Sequence, residues 1–173
     1  MRYYFLMASL PGLALGEPLP LDGGEFMARA DSQLDPADAA ELRAVRAGAG
    51  HSPLALRWLA FERHLRNTVA RQRAQRLQAD PAPWLREGER WELFVLEAVE
   101  DAYARPNPLE RELELDRCRW RRLDEFAVGH PFDLDAVLIY GLRLGLCARW
   151  AGLDAARGQA VVDSFLEQGK AAS

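Results

Sequence analysis

Apolar residues recur every three or four positions over most of the chain, and Pro- and Gly-rich breaks separate the runs. The longest run spaces its apolar residues by four, three, four and four positions: Leu54, Trp58, Phe61, Leu65 and Val69. This spacing places all five on one face of a helix. Ser52-Pro53 is a typical helix start, so the pattern predicts a helix from there to about Gln78. The segment DPAP at 80–83 ends it.

Capping residues and apolar stripes predict further helices on both sides of this one. They start at Asp35, near Glu87, at Asn107, at Asp133 and near Asp154, and end by about 48, 104, 127, 150 and 168. The inward-facing positions are expected at Trp91, Phe94, Val95, Ala98 and Ala102, and at Leu109, Leu113, Trp120, Leu123 and Ala127. The helix after Asp133 is apolar on a wide surface and is expected to be central. Its Gly141 and Gly145 favour close approach of a neighbouring helix, or else simply weaken the helix.

The first segment, residues 3–10, is apolar and stops at Pro11-Gly12. It predicts either a helical turn or a short strand, and residues 11–24 predict a loop. The segment also resembles a signal peptide superficially. A single preceding arginine, two tyrosines and the Pro-Gly interruption make that the less favoured interpretation. No run reaches the ~18 apolar residues that a membrane-spanning helix needs.

Composition strengthens the helical prediction. Alanine and leucine supply 55 of the 173 residues, whereas valine, isoleucine and threonine together supply only ten. Such a chain favours helices and opposes a large sheet. Because no low-complexity linker divides the chain, we predict a single all-α domain over residues 1–173, with about seven helices.

Candidate catalytic groups are sparse in this sequence. His51, His64 and His130 lack metal-ligand spacing, and the sequence contains no phosphate loop, dinucleotide fingerprint or nucleophile elbow. Cys118 and Cys147 lie in helical patterns and are expected to be packing residues in a reducing compartment. We therefore predict no catalytic residue, no cofactor and no metal ligand. An enzyme that binds a metal through acidic helical residues is a less favoured alternative.

Charge is strongly segregated along the chain. Residues 57–76 carry a net charge of +5, residues 87–114 carry −6, and the whole chain carries only −4. The two segments either pair with each other, or the arginine-rich end from Arg66 to Arg76 docks an acidic partner surface. Nucleic-acid binding is disfavoured, since no aromatic residues interleave with these arginines. Trp84, in the Pro-rich break, is the tryptophan most expected to mark a surface contact.

Three stretches together carry a resemblance to a known family: MRYYFLMASLPGLALGE at the start, FERHLRNTVARQRAQRLQADPAPWLR at 61–86, and RCRWRRLDEFAVGHPFDLDAVLIYGLRLGLCARWAGLDAARG at 117–158. They resemble an uncharacterised bacterial family encoded in V-type ATPase operons, which is similar to the C subunit of the V/A-type ATPase, called the d subunit in eukaryotic enzymes. The pattern of Phe61, Glu62, Asn67, Arg71 and Arg73 resembles the family's Asn- and Arg-bearing helix. Tyr140 and Leu142 resemble its later Tyr-x-Leu helix.

The resemblance implies an all-helical protein that sits on the membrane rotor ring and receives the central shaft. The d subunit is built from helical repeats, and residues 61–77 and 132–150 both begin with Phe and continue into an amphipathic segment, which suggests such a repeat. The chain is about half as long as a full d subunit. The resemblance therefore implies either a reduced version or a similarity of helical pattern only.

The sequence-based expectation is thus a non-catalytic accessory subunit of a bacterial V-type ATPase, coupling the central stalk to the membrane rotor. Its partner-binding residues are expected to be Arg66, Asn67, Arg71, Arg73 and Arg76. It would be cytoplasmic and would meet the inner face of the membrane only through its stalk and rotor partners. The alternative is a small helical adaptor or regulatory protein that binds another soluble partner through the same arginine-rich helix. The sequence does not indicate an oligomeric state.

Overall fold

A computed structural model describes residues 2–88 and 92–152, and these residues form an all-α structure. Within them lie seven α-helices and one short 3₁₀ turn, at Ala82–Trp84. The helices are α1 (Tyr4–Ser9), α2 (Gly23–Asp31), α3 (Pro36–Arg46), α4 (Pro53–Leu77), α5 (Leu93–Ala104), α6 (Pro108–Ala127) and α7 (Leu134–Ala151). None of the described helices combines the length and the apolar content that a membrane-spanning helix needs.

Three of the predicted N-caps hold their helices in the expected way. The Ser52 hydroxyl accepts a hydrogen bond from the Ala55 amide at 3.2 Å, and the Asn107 and Asp133 side chains cap α6 and α7 in the same manner. Each cap satisfies an amide at the start of the helix that has no intrahelical partner. Asp35 occupies the N-cap position of α3 but makes no capping hydrogen bond, and its carboxylate pairs with Arg2.

Several element predictions need correction. Helix α2 begins within the segment predicted as a loop, because Asp22 accepts hydrogen bonds from two amides of its first turn. Helix α5 begins at Leu93, not near Glu87, since the Glu92 backbone is extended and its amide donates to His64. Leu109 is exposed, not inward-facing. Trp91 and the predicted helix from Asp154 to Gln168 lie outside the described residues.

The N-terminal segment is built into the core. Leu6 is fully buried, and the Tyr3 hydroxyl donates to Asp38 at the start of α3. The Tyr140 hydroxyl of α7 donates to the carbonyl of Pro11 at 3.0 Å. The first segment therefore forms a short helix, α1, whose N-cap Tyr3 contacts α3, and a loop that contacts α7.

Helix α7 packs against α2, α3 and α6, and helix α5 packs against both α4 and α6. A Cβ atom at Gly141 would lie 2.9 Å from Leu42 of α3 and 3.3 Å from Phe26 of α2. Gly141 therefore permits the close helix approach expected of it. A Cβ atom at Gly145 would meet nothing within 4 Å, so close packing does not explain that glycine.

A buried ionic network joins three helices. Asp116 of α6 is fully buried, and its carboxylate accepts hydrogen bonds from Arg119 at 2.9 Å, from Arg149 and, at 2.7 Å, from the indole of Trp150. Arg119 in turn donates to Glu62 of α4 at 2.7 Å. Two carboxylates thus face two guanidinium groups. This balance is what makes buried charge tolerable, because an unpaired buried charge is strongly destabilising.

We predict that Asp116→Asn lowers the free energy of unfolding by ~3–5 kcal/mol, since it removes the buried carboxylate that two guanidinium groups share. The measurement is urea unfolding followed by circular dichroism. Asp124→Asn is the matched control on the same helix, because Asp124 pairs with Arg143 at an exposed position. An exposed pair contributes only ~0–1 kcal/mol. Equal losses in the two variants would contradict the central role given to Asp116.

Candidate functional site

An open apolar groove lies between the C-terminal half of α4, the turn that follows it, and α6. Its volume is about 430 Å³. The floor includes the buried residues Leu65, Ala74 and Leu115. At its mouth stand Leu77 and Trp84, which are 76% and 62% exposed. Exposed large apolar side chains clustered around a concavity indicate a binding surface more strongly than scattered ones do.

The groove exists because α4 presents small residues between larger ones. Arg66, Ala70, Arg73 and Leu77 follow one another at spacings of four, three and four, so they share one helix face. Alanine at positions 70 and 74 leaves space that the longer side chains on either side enclose. This face lies beside the predicted stripe that ends at Val69. Sequence reasoning identified Arg66 and Arg73 on this face but missed Ala70 and Leu77, because an alanine or a leucine on a helix is compatible with core and with surface.

Asn67 holds the chain segment that follows Trp84. Its side-chain amide makes two hydrogen bonds to the backbone of Arg86: its nitrogen donates to the carbonyl at 2.8 Å, and its oxygen accepts from the amide at 3.0 Å. Asn67 is only 1% exposed. Its side chain is therefore not available to a partner, contrary to the sequence-based expectation. Asn67 instead fixes the segment that carries Trp84, which forms one wall of the groove.

The structure separates the other four residues of the predicted docking surface. Arg66 and Arg73 line the groove, and the Arg73 Nε also donates to the Tyr103 hydroxyl at 2.7 Å. Arg76 stacks on the Tyr103 ring, 5.0 Å from its centroid, and donates to the Tyr103 carbonyl near the end of α5. Arg71 is partly buried and lies close enough to His64 to lower its pKa. Of the five predicted residues, Arg66 and Arg73 are therefore the two that line this groove.

The charged residues that line the groove differ in how accessible they are to a partner. Arg119 is engaged internally: burial alone would lower its pKa, but Glu62 and Asp116 raise it, and its guanidinium binds both carboxylates. Arg66 has a side chain that is 59% exposed, and its Nε lies 3.8 Å from Glu62. Glu112 stands on the α6 wall. The mouth thus offers a guanidinium group on one wall and a carboxylate on the other.

Two arginines of the positively charged segment reach the acidic segment through backbone carbonyls. The Arg63 side chain donates to the backbone carbonyl of Glu87 at 3.2 Å, and Arg76 also donates to a backbone carbonyl. The one acid within the arginine-rich segment, Glu62, pairs with Arg119 of α6. The backbone contacts of Arg63 and Arg76 satisfy arginine donors without neutralising their charge.

His64 supports the same region from inside. Its Nε2 accepts a hydrogen bond from the Glu92 amide at 3.3 Å, which requires that nitrogen to be unprotonated. Burial lowers the pKa of His64 from its ordinary 6.5, and the nearby charges of Arg71 and Arg122 lower it further. The neutral form of His64 therefore belongs to the folded state and holds the segment that leads into α5.

Both cysteines are buried side chains in the described structure. Burial raises the pKa of Cys118 to about 11 and also raises the pKa of Cys147. A thiol in this state is a weak nucleophile at neutral pH. Within residues 2–88 and 92–152, no three or more His, Cys, Asp or Glu side chains converge as a metal ligand set.

Comparison with known proteins relates part of the chain to one family. Residues 88–169 match a family described as "Protein of unknown function (DUF2764)". The family's description names no activity and no partner. The matched stretch includes α5, α6 and α7, so it supplies the α6 wall of the groove, whereas α4 and Trp84 lie outside it. No curated protein and no solved structure is significantly similar to the chain.

We predict that Asn67→Ala loosens the segment that carries Trp84. Removing the two hydrogen bonds that the buried Asn67 side chain makes to the Arg86 backbone costs ~1–3 kcal/mol, which favours local opening. Trypsin should then cleave after Arg86 about tenfold faster, as measured by mass spectrometry of a timed digest. Gln75→Ala removes an exposed amide from the same helix and serves as the control. An unchanged rate of cleavage after Arg86 would show that Asn67 does not hold this segment.

We also predict an acid-sensitive component of stability that comes from His64. The pKa of His64 is lower in the folded chain than 6.5, so the unfolded chain binds the proton first as the pH falls. The free energy of unfolding should therefore decrease between pH 6.5 and pH 5. Urea unfolding across this range tests the effect. His64→Gln should flatten the slope, since glutamine accepts the Glu92 hydrogen bond without titrating, and an unchanged slope in this variant would contradict the assignment to His64.

Proposed function

We propose that this chain is a non-catalytic accessory subunit of a bacterial V-type ATPase, a d-subunit-like coupler between the central stalk and the membrane rotor. The observation that carries a binding role is the open groove, where two exposed apolar side chains, Leu77 and Trp84, flank a buried apolar floor. The ATPase assignment is supported by the resemblance of the three sequence stretches. The proposed role is binding without catalysis. An apolar surface with guanidinium groups at its edge is suited to binding another protein.

The proposed location follows from the proposed role. A coupling protein of this kind would be cytoplasmic and peripheral to the inner face of the membrane, held there by stalk and rotor subunits. The suggested internal repeat gains no support from the helix boundaries: Phe61 lies two turns inside α4, whereas Phe132 precedes the N-cap of α7. The similarity to the d subunit is therefore proposed at the level of an all-helical coupler, without an internal duplication.

An adaptor that binds some other soluble partner would use the same groove, so the identity of the bound protein separates the two functions. We predict that the tagged chain, purified from its native host in mild detergent, carries V-type ATPase stalk and rotor subunits. Leu77→Asp should reduce this co-purification about tenfold, because it places a charge in the apolar mouth. Leu56→Asp is the matched control, since Leu56 lies on the same helix, is 55% exposed and is not part of the groove lining.

Two outcomes of this purification bear on the ATPase proposal. If the wild-type chain purifies without ATPase subunits under these conditions, the proposed role is wrong. If another soluble protein is retained instead, and Leu77→Asp releases it while Leu56→Asp does not, the adaptor function is the better description. Both variants should first show the wild-type circular dichroism spectrum and thermal midpoint.

A further inference from the structure

The chemistry of the groove narrows what it can bind. Its floor is apolar and buried, but Leu77 and Trp84 project from its edges and are largely exposed. A compact small molecule on the floor would leave both edges in water. A helix has a diameter of about 10 Å, and its apolar stripe would cover the floor and both edges together. The shape therefore favours a helix over a small ligand.

Charge at the mouth adds a second constraint. Among the three arginines of the groove, Arg119 is paired with two carboxylates and Arg73 donates to Tyr103. Arg66 is exposed, and its Nε lies 3.8 Å from the nearest oxygen of Glu62. Both oxygens of that carboxylate already accept hydrogen bonds from Arg119, at 2.7 and 3.4 Å. The Arg66 guanidinium therefore retains donors for a carboxylate from outside. An arginine can bind such a carboxylate through two parallel hydrogen bonds.

We propose that the groove binds one amphipathic helix of a partner protein, whose apolar stripe fills the groove and whose Asp or Glu at the edge of that stripe pairs with Arg66. This inference rests on the proposed binding function and specifies the partner's chemistry. The carboxylate faces α4, and Glu112 on the opposite wall disfavours a second acid there. The groove thus favours a helix that carries an acidic residue at one edge of its apolar stripe, and it favours the orientation in which that edge faces α4.

The experiment uses the full chain in its native host with a photocrosslinking amino acid, p-benzoylphenylalanine, in place of Leu77. The same amino acid in place of Leu56 is the control. We expect crosslinks from position 77 alone, and mass spectrometry should map them to a segment with an amphipathic helical pattern and an acid beside its apolar stripe. A crosslink to residues 153–173 of this chain, to a second copy of it, or to a segment without such an acid would overturn the proposal.

A charge exchange then tests the Arg66 contact itself. Arg66→Glu should lower co-purification of the crosslinked partner about tenfold, and replacing the partner's acid with Arg should restore it. Arg117→Glu is the matched control: Arg117 is equally exposed, at 58% against 59%, and also pairs with a glutamate on its own helix. Binding that is indifferent to Arg66→Glu, or that the exchange fails to restore, overturns the proposal.

The outcomes distinguish this inference from the proposed function. If ATPase subunits co-purify but neither the crosslink nor the charge exchange involves the groove, the ATPase role stands and the helix-binding inference fails. If the charge exchange succeeds with a helix from a protein outside the ATPase, the inference stands and the ATPase role fails.

Discussion

The buried carboxylate of Asp116 is the interaction on which the arrangement of the later helices depends. It has no exposed surface and accepts hydrogen bonds from Arg119, Arg149 and Trp150. Through these contacts α6 is joined to the end of α7, and through Arg119 to Glu62 of α4. Apolar packing alone permits helices to slide or rotate against one another. A buried ion network with satisfied donors favours one register, since any other leaves a charge unpaired.

The groove inherits its geometry from this network. Two residues of the α6 wall lie close to Asp116 in sequence: Leu115 directly precedes it, and Arg119 follows about one helical turn later. The carboxylate that fixes α6 therefore also fixes that wall. The opposite wall depends on Asn67, whose two hydrogen bonds to Arg86 hold the segment after Trp84 against α4. A surface built on such internal supports presents its apolar edges in a defined arrangement before a partner arrives. Preorganisation of this kind reduces the ordering cost of binding.

Local sequence signals predicted most of the helices, and nonlocal contacts account for what they missed. Ser52, Asn107 and Asp133 cap helices because a side chain and the amides it caps lie within three residues of each other. The clamp at Asn67 joins residues 19 positions apart, and the contact between Asp116 and Trp150 joins residues 34 apart. No periodicity encodes such pairs. The sequence therefore predicted Asn67 as a surface residue, whereas the fold buries it.

The positive charge of the arginine-rich segment is only partly neutralised when the chain folds. Ion pairing between an arginine-rich helix and an acidic one would neutralise both. Arg63 and Arg76 instead donate to backbone carbonyls, which satisfies their hydrogen bonds but leaves their positive charge in place. In the network around Asp116, by contrast, two carboxylates neutralise two guanidinium groups, and the Asp116 carboxylate is fully buried. Since a field persists over roughly 10 Å at moderate ionic strength, the charges of Arg63 and Arg76 favour the approach of an acidic surface to α4.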